Sequence, residues 1–531
     1  MNSKLSLSTI MKIVNILFLI VLQNIILDCG MGIFAVSLIV YYFLYSVLYG
    51  SLQTGVSKMV SVRNNKGVGE HSKHIVKPAL AYVVITGILL MLFSGFALGG
   101  MAGKFLGMVY PVPVIQILCI VLVLTGITDV LCGYHMGNGN VFVSNIVNLL
   151  KCVLPIGFSF IVLRIFISYG SNVSALLKNS IIKDAYMAMG IASVYLISSV
   201  VVFLVVVFFT IKSRLQSARG NEVHTTGRKA SANGFLAMHI RLMLSNVFLP
   251  LSVLVSVVTY IHGVKKAGLV IADAYTNMGI LLVKLLLPII LIMIIFSEYI
   301  AREKYRLRID YRKDEIKIMT VRAQYMIKNS IFMLLPLMMV LAFLSVPIAK
   351  VVFTGQDVLS AKYLEYGAVI LLLGGVVYTL SSILKSFDRE GLVWALQGGA
   401  LIAQILFLAI GFSKGTGNSM LILYSFYFSY GLLLVAFLAM ICKVIRLDIL
   451  DILLKIGKYG VAGIITMILF MILSKFIVMN VFLLLLSVFF GYLLYYLTLL
   501  ALHGISKKDE AALKHTLSYY PVHFLRSRLR L

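Results

Sequence analysis

Long apolar runs separated by short polar loops make up almost the whole chain. Each run is about twenty residues long, and at about 1.5 Å of rise per residue a helix of that length crosses the roughly 30 Å hydrocarbon core of a bilayer. Continuous runs predict transmembrane helices, because a transmembrane β-barrel would show shorter, alternating segments. The predicted segments are 10–27, 32–53, 78–100, 112–135, 141–166, 185–211, 236–262, 271–297, 329–353, 363–384, 392–412, 419–442, 458–478 and 480–503.

The order of these segments predicts two six-helix halves followed by two further helices. A polar stretch that contains Gly and Ser follows the sixth segment and is typical of a linker. The predicted fold class is therefore all-α: a polytopic integral membrane protein of about fourteen transmembrane helices, with two bundles around a central cavity. The predicted domains are an N-terminal six-helix bundle (1–211), a cytoplasmic linker (212–235), a C-terminal six-helix bundle (236–442), two additional transmembrane helices (443–503) and a basic cytoplasmic tail (504–531).

Composition excludes a water-soluble globular protein. Hydrophobic residues make up 61% of the 531 residues, and charged residues make up only 12%. The net charge of +27 is explained by Lys and Arg residues that concentrate in the loops on one side of the bilayer, next to anionic lipids, so nucleic acid is not expected as a partner. The same asymmetry predicts a multi-pass protein of the cell membrane with both termini in the cytoplasm.

Two lysines interrupt the apolar runs. Lys151 lies about 15 Å along its predicted helix, and Lys284 also lies in the middle of a segment. A bare ammonium at the bilayer centre costs about 3 kcal/mol even on a lenient insertion scale, so function is the default interpretation. Helical spacing predicts one polar stripe made of Ser144, Asn148, Lys151 and Pro155. The other segment repeats the pattern with Asp273, Asn277, Lys284 and Pro288.

We interpret these two helices as the lining of a cavity for an anionic substrate. Pro155 and Pro288 each follow a lysine by four residues and remove a backbone hydrogen bond, which favours a hinge. The alternative is structural, because a lysine can snorkel or cap carbonyl groups, prolines are common in membrane helices, and a residue near the cytoplasmic edge can serve topology alone. The predicted substrate-binding residues are Lys151, Lys284, Asn148, Asn277, Gln23, Asn24 and Arg241.

No acidic residue is clearly placed in the middle of the bilayer. Asp129, Asp273 and Glu365 lie toward segment ends, and Asp28 lies beyond one, so the two lysines are expected to be unpaired. A cation-exporting antiporter would need a carboxylate deep in its cavity, so this pattern disfavours one. The cysteines and histidines are dispersed, so no metal site is predicted. No Gly-rich phosphate loop occurs, so no nucleotide or other cofactor is expected.

A resemblance to a known family begins at the second segment, in DCGMGIFAVSLIVYYFLYSVLYGSLQTGVSKMVSV. It resembles the second-helix signature of the multidrug/oligosaccharidyl-lipid/polysaccharide (MOP) flippase superfamily, in the branch of polysaccharide biosynthesis and stage V sporulation protein B-like members. The matching positions are Gly30, Gly32, Phe34, Ser57, Lys58, Val60 and Ser61. Three later stretches agree in order and spacing: 133–140, 347–357 and 384–391. One departure argues against lipid II itself, because lipid II flippases usually carry basic residues where this first helix has Gln23 and Asn24.

The resemblance implies a flippase and not an enzyme. The expected substrate is a polyprenyl-pyrophosphate-linked oligosaccharide, either a polysaccharide repeat unit or a peptidoglycan precursor, moved across the cytoplasmic membrane by alternating access. Expected partners are this lipid-linked oligosaccharide, anionic membrane lipids, and glycosyltransferases or polymerases of envelope synthesis. Two alternatives stay open: a multidrug or cation antiporter of the same superfamily, and a non-transporting membrane scaffold in cell-envelope synthesis.

Overall fold

Helices make up nearly all of the structure, a computed structural model that describes residues 6–65, 73–97, 109–217, 232–353, 357–413, 417–476 and 480–504. These residues contain no β-strand. The helices are α1 (Leu7–Leu48), α2 (Leu52–Asn65), α3 (Lys73–Leu92), α4 (Pro111–Gly137), α5 (Val141–Leu177), α6 (Ser180–Ser217), α7 (Ala232–Leu244), α8 (Phe248–Lys266), α9 (Ile271–Gly279), α10 (Leu286–Arg312), α11 (Ile316–Phe343), α12 (Ser345–Val352), α13 (Asp357–Ser386), α14 (Glu390–Ser413), α15 (Met420–Val444), α16 (Ile449–Leu473) and α17 (Val481–Ala501). Two π-helical segments, Phe93–Ala97 and Ile280–Leu285, continue α3 and join α9 to α10. Thirteen helical stretches in the described ranges are long and apolar enough to cross a membrane.

A break inside α1 divides one long helix into two crossings. A straight helix of 42 residues would measure about 63 Å, roughly twice the hydrocarbon core of a bilayer. Leu27 has φ 69° and ψ 179°, a backbone region that is normally reserved for glycine. The break leaves about twenty residues on either side, so α1 contains both the first and the second predicted segments. The thirteen stretches therefore provide the fourteen predicted crossings.

Both ends of α1 lie at the same end of the molecule. Ser6, just ahead of the helix, donates to Glu298 Oε1 of α10 at 2.7 Å. Ser51, just beyond the helix, donates to the carbonyl oxygen of His239 in α7 at 3.3 Å. Two ion pairs hold these regions of α10 and α7 to the same link between α13 and α14: Arg308–Asp388 at 2.6 Å and Arg241–Glu390 at 3.0 Å. The chain therefore folds back at Leu27.

The seventh predicted segment is divided between two helices. α7 ends at Leu244 and α8 begins at Phe248, with a turn at residues 245–247. Pro250 stands in the first turn of α8, where its missing N–H group costs nothing, but the same residue would interrupt a helix that ran straight through. The segment predicted at 236–262 is therefore two helices joined by a turn.

α1 is the element through which the two halves meet. It packs against α4, α5 and α6 of the first predicted half and against α8, α9 and α10 of the second. The last two helices join the second half through α11, where the Phe332 ring packs against the rings of Tyr459, Tyr495 and Tyr496. The predicted linker at 212–235 and tail at 504–531 lie largely outside the described residues, so those bounds stay predictions.

Candidate functional site

Lys151 forms an ion pair inside the first half. Its Nζ lies 3.1 Å from Asp129 Oδ1 of α4, and the Tyr45 hydroxyl of α1 donates to the other oxygen, Oδ2, at 2.8 Å. The carboxylate is deeply buried, with 3% of its side chain exposed, whereas 35% of the Lys151 side chain is exposed. Asp129 is the hydrogen-bond partner of the ammonium among the described residues, so two of its three N–H donors remain available on the open side.

The rest of the predicted polar stripe on α5 is more closely packed. Ser144 is buried and accepts a hydrogen bond from Gln53 Nε2 at 3.1 Å. Pro155 is also buried, and Asn148, one turn from Lys151, is half-buried. The stripe therefore opens only around Lys151 and Asn148.

Lys284 forms the second ion pair, and this pair connects the two halves. Its Nζ lies 2.8 Å from Asp28 Oδ1, and no part of the Lys284 side chain is exposed. Gln23 is likewise fully buried, and its Nε2 donates to the same Oδ1 at 2.5 Å. A ligand therefore cannot reach Lys284 in this conformation.

The expectation of unpaired lysines is wrong for both sites, whereas the depth of the two carboxylates in a bilayer stays a prediction. Asp129 and Asp28 are 2% and 5% exposed, and each lies against its lysine. The physical reason is that two opposite charges in a low-dielectric interior stabilise each other, while an isolated ammonium there is expensive. Asp28 directly follows the break at Leu27, and its carboxylate meets Lys284 in the π-helical segment between α9 and α10.

The helix backbones touch beside the Lys284 pair. A Cβ atom added at Gly32 of α1 would lie 1.9 Å from the Tyr275 carbonyl oxygen of α9. A Cβ atom added at Gly279 would lie 2.0 Å from the Asp28 carbonyl oxygen. Only glycine permits this approach, so the two halves are in direct backbone contact where the ion pair forms.

The remaining predicted binding residues are held elsewhere. Asn24 donates to the Val352 carbonyl oxygen at 2.9 Å, and Asn277 donates to the Tyr260 hydroxyl at 3.0 Å. Arg241 is 61% exposed and pairs with Glu390. The structure thus brings Gln23 to Lys284 and leaves Asn148 beside Lys151, but it does not gather Asn24, Asn277 and Arg241 into the same site.

The two predicted hinge prolines lie in different surroundings. Pro155 sits inside α5, which remains an α-helix from Val141 to Leu177. Pro288 follows the π-helical segment Ile280–Leu285 by three residues and cannot donate to the Lys284 carbonyl group. A π-helical turn with a missing hydrogen bond is a weak point in a helix, so the hinge proposal is stronger for Pro288.

An apolar groove of about 610 Å³ lies between α1 and α5. Leu17 and Val21 line one side and Phe160 and Ile167 line the other, with Arg164 as its charged residue. Within the described residues, no cluster of three or more His, Cys, Asp and Glu residues could hold a metal ion. The lining of the groove is therefore suited to hydrocarbon.

The fold matches solved structures of MOP-superfamily transporters. The lipid II flippase MurJ in an inward closed conformation gives a TM-score of 0.62 at 14% identity, over 92% of this chain and 96% of that chain. A multidrug resistance MATE family transporter in an inward-facing conformation gives 0.60 at 14% identity, over 81% and 92%. A Pyrococcus furiosus transporter, described with reversed polarity of its binding pocket, gives 0.51 at 14% identity, over 81% and 94%.

The likeness is one of fold. No protein-family model matches the sequence, and no curated protein matches it. At 14% identity the shared architecture confirms the all-α, polytopic fold class and shows a likeness of fold to these transporters. Because both a flippase and a multidrug transporter share this architecture, the branch and the substrate have to be inferred from the residues of this chain.

Proposed function

We propose that this protein is a flippase for a polyprenyl-pyrophosphate-linked oligosaccharide, moved between leaflets by alternating access. The observation that carries the proposal is the half-buried Lys151 ammonium, which pairs with Asp129, while Tyr45 donates to the other oxygen of that carboxylate. A buried cation with donors still available is suited to a phosphate oxygen, because hydrogen bonds between charged groups strengthen where water is excluded. The half-buried Asn148 adds a neutral donor beside it.

Lys284 enters the proposed cycle only when the halves move apart. The Lys284–Asp28 pair and the Gly32–Gly279 contact each join one half to the other. Separation of α1 from α9 would therefore uncover both charges. The pyrophosphate then competes with Asp28 for the ammonium, with Gln23 alongside. The π-helical turn before Pro288 supplies a place for α10 to bend.

The lipid part of the substrate is proposed to stay outside the polar site. The groove between α1 and α5 borders the same helix that carries Lys151 and is lined almost entirely by apolar side chains. A prenyl chain placed there loses little by leaving bulk lipid, while the sugar crosses without meeting hydrocarbon.

Orientation and partners follow from the charge pattern. With Lys and Arg concentrated on one side, both termini are proposed to be cytoplasmic, and the protein is proposed to reside in the cell membrane. It performs no bond-making chemistry in this proposal. Glycosyltransferases or polymerases of envelope synthesis would supply and consume the lipid-linked glycan.

A second candidate function is cation-coupled export, and the buried carboxylates favour it. Asp129 and Asp28 are both buried carboxylates, a type of group that can bind a proton or a cation and exchange one for the other. A non-transporting scaffold has no specific observation in its favour.

Leaflet accessibility of the lipid tests the proposal directly. The purified full-length protein in liposomes should expose a lipid-linked oligosaccharide, supplied in the inner leaflet, to a lectin or glycosidase outside. Protein-free liposomes measure the background. Background rates with several such lipids would reject the flippase, and proton- or sodium-driven export of an organic cation by the same liposomes would favour the second candidate.

A further inference from the structure

A second polar site lies away from both lysine pairs, where α10 ends and α11 begins. It is a pocket of about 420 Å³ lined by both helices. Its charged residues are Glu303 and Arg306 on α10 and Lys317 and Arg322 on α11. Three cations against one carboxylate give the lining an excess of positive charge.

The two arginines are fixed in place by buried carboxylates. Arg306 Nη1 lies 2.8 Å from Glu303 Oε1, and Arg322 Nη1 lies 3.6 Å from Glu303 Oε2. Arg322 Nε also lies 2.6 Å from Asp310 Oδ2. Because a guanidinium has five N–H donors, these contacts leave several donors on each arginine. The two groups are therefore oriented before any ligand arrives, which lowers the entropy cost of binding one.

The guanidinium groups are reachable from the pocket. The Arg306 side chain is 38% exposed and the Arg322 side chain is 27% exposed, whereas only 11% of the Glu303 side chain is exposed. Lys317 is exposed at the pocket edge. An oxyanion with several oxygens can accept from all three cations, and the planar forks of arginine suit a phosphate in particular.

Apolar surface adjoins these cations. Ile318 and Val321 line the same pocket and are each 49% exposed. Both helices belong to candidate membrane spans, Ile271–Arg312 and Ile316–Phe343, and the pocket lies at the polar ends of those spans. A ligand that fills this pocket needs a charged group to contact the arginines and a hydrocarbon part to contact Ile318 and Val321. A phospholipid of the adjoining leaflet has both.

We propose that this pocket binds the phosphate headgroup of an anionic phospholipid. The excess positive charge selects an anionic headgroup over a zwitterionic one, because a choline or ethanolamine cation would be repelled by the same side chains. The bound lipid contacts both α10 and α11. It therefore stabilises the helical hairpin that these two consecutive helices form. The site is separate from Lys151 and does not depend on what the protein transports.

Lipid-dependent stability tests the site. Full-length protein is reconstituted in nanodiscs of phosphatidylcholine with increasing phosphatidylglycerol, and its thermal unfolding is followed at constant ionic strength. The wild type should unfold at higher temperature as phosphatidylglycerol increases, because a ligand that binds only the folded state stabilises it. The variant R306Q/K317Q should lose this increment, with binding about tenfold weaker or worse.

Two controls make the result specific. Arg312→Gln removes one positive charge from the helix that carries Arg306, at an exposed position outside the pocket, and it should keep the full increment. Native mass spectrometry should find fewer phosphatidylglycerol molecules retained by R306Q/K317Q than by R312Q. An equal increment in both variants would overturn the site. Equal stabilisation of the wild type by millimolar inorganic phosphate or pyrophosphate in phosphatidylcholine nanodiscs would overturn the lipid and assign a soluble anion.

Discussion

The Nζ atom of Lys284 lies 2.8 Å from Oδ1 of Asp28, and the two residues belong to opposite halves of the molecule. The Lys284 side chain has no exposed surface, and Asp28 is almost as deeply buried. We call this ion pair and the helix contact beside it the joint. While the joint is closed, the ion pair stabilises the contact between α1 and α9. If the contact opens and neither a ligand nor water reaches the two residues, two desolvated charges remain.

Neutralising one partner of this joint should cost more than neutralising both. Lys284→Met leaves the buried carboxylate without this counter-ion, and Asp28→Asn does the same to the buried ammonium, so each should reduce the free energy of unfolding by about 3–5 kcal/mol. The double variant D28N/K284M removes both charges and should recover much of the loss. The measurement is a double-mutant cycle of unfolding in detergent or bicelles.

An exposed pair supplies the control for that cycle. Arg308 and Asp388 form an ion pair of similar distance, 2.6 Å, but both side chains are more than a third exposed. Neutralising either should change the unfolding free energy by no more than about 1 kcal/mol. If the Lys284 and Asp28 single variants behaved like the Arg308 and Asp388 variants, the buried pair would not be a stabilising joint.

Glycines at the same joint should be intolerant of a methyl group. Gly32→Ala and Gly279→Ala each place Cβ about 2 Å from a carbonyl oxygen of the facing helix, so α1 and α9 must separate. Overpacking of a core costs about 1–3 kcal/mol, and a collision with backbone should reach or exceed the upper end. Gly460→Ala, where an added Cβ meets nothing within 4 Å, is the matched control in a thermal unfolding series. Equal melting temperatures for all three variants would contradict the close contact.

The sequence predicts the transmembrane segments well because their signal is local. Twenty consecutive apolar residues form a membrane helix whatever they pack against, since every backbone polar group must be satisfied within the segment. The interruption between α7 and α8 could have been inferred from Pro250, which breaks an otherwise continuous apolar pattern. The left-handed backbone at Leu27 carries no such signal, because leucine is not a residue that favours it.

The partners of the two lysines are not a local property. Asp129 and Lys151 are separated by 22 residues and lie on different helices, so hydropathy and spacing cannot pair them. Asp28 and Lys284 are brought together only by the packing of one half on the other. A physical signal was nevertheless present: two ammonium groups in the apolar core require compensation, and the chain has few carboxylates within its apolar segments to provide it. The neighbouring segment supplies the partner of Lys151, Asp129, but no segment next to that of Lys284 supplies Asp28.

Topology can be tested by labelling with a membrane-impermeant thiol reagent. In a variant that lacks the native cysteines, single cysteines placed at 172–180 should react from outside intact cells. Cysteines placed at 305–315 should react only after the membrane is permeabilised, because the positive-inside rule puts the basic end of α10 in the cytoplasm. The opposite pattern would invert the molecule and move the phospholipid pocket to the outer leaflet.

The contact that the flippase proposal most depends on is tested at Lys151. Lys151→Gln alone leaves Asp129 buried without its counter-ion and could destabilise the fold. In the variant K151Q/D129N both side chains are neutral and nearly isosteric, so this variant separates an effect on transport from an effect on folding. It should unfold close to the wild-type temperature yet lose turnover of the lipid-linked oligosaccharide by at least about tenfold, the effect of one charged hydrogen bond to phosphate. Lys151→Arg should retain part of the rate, because the charge stays while the head becomes larger and planar.

Lys350→Gln, an exposed lysine on α12, serves as the control. Turnover at the wild-type rate by K151Q/D129N would show that the substrate crosses without this ammonium, and the anion-binding role of Lys151 would have to be abandoned even if the protein proved to be a flippase.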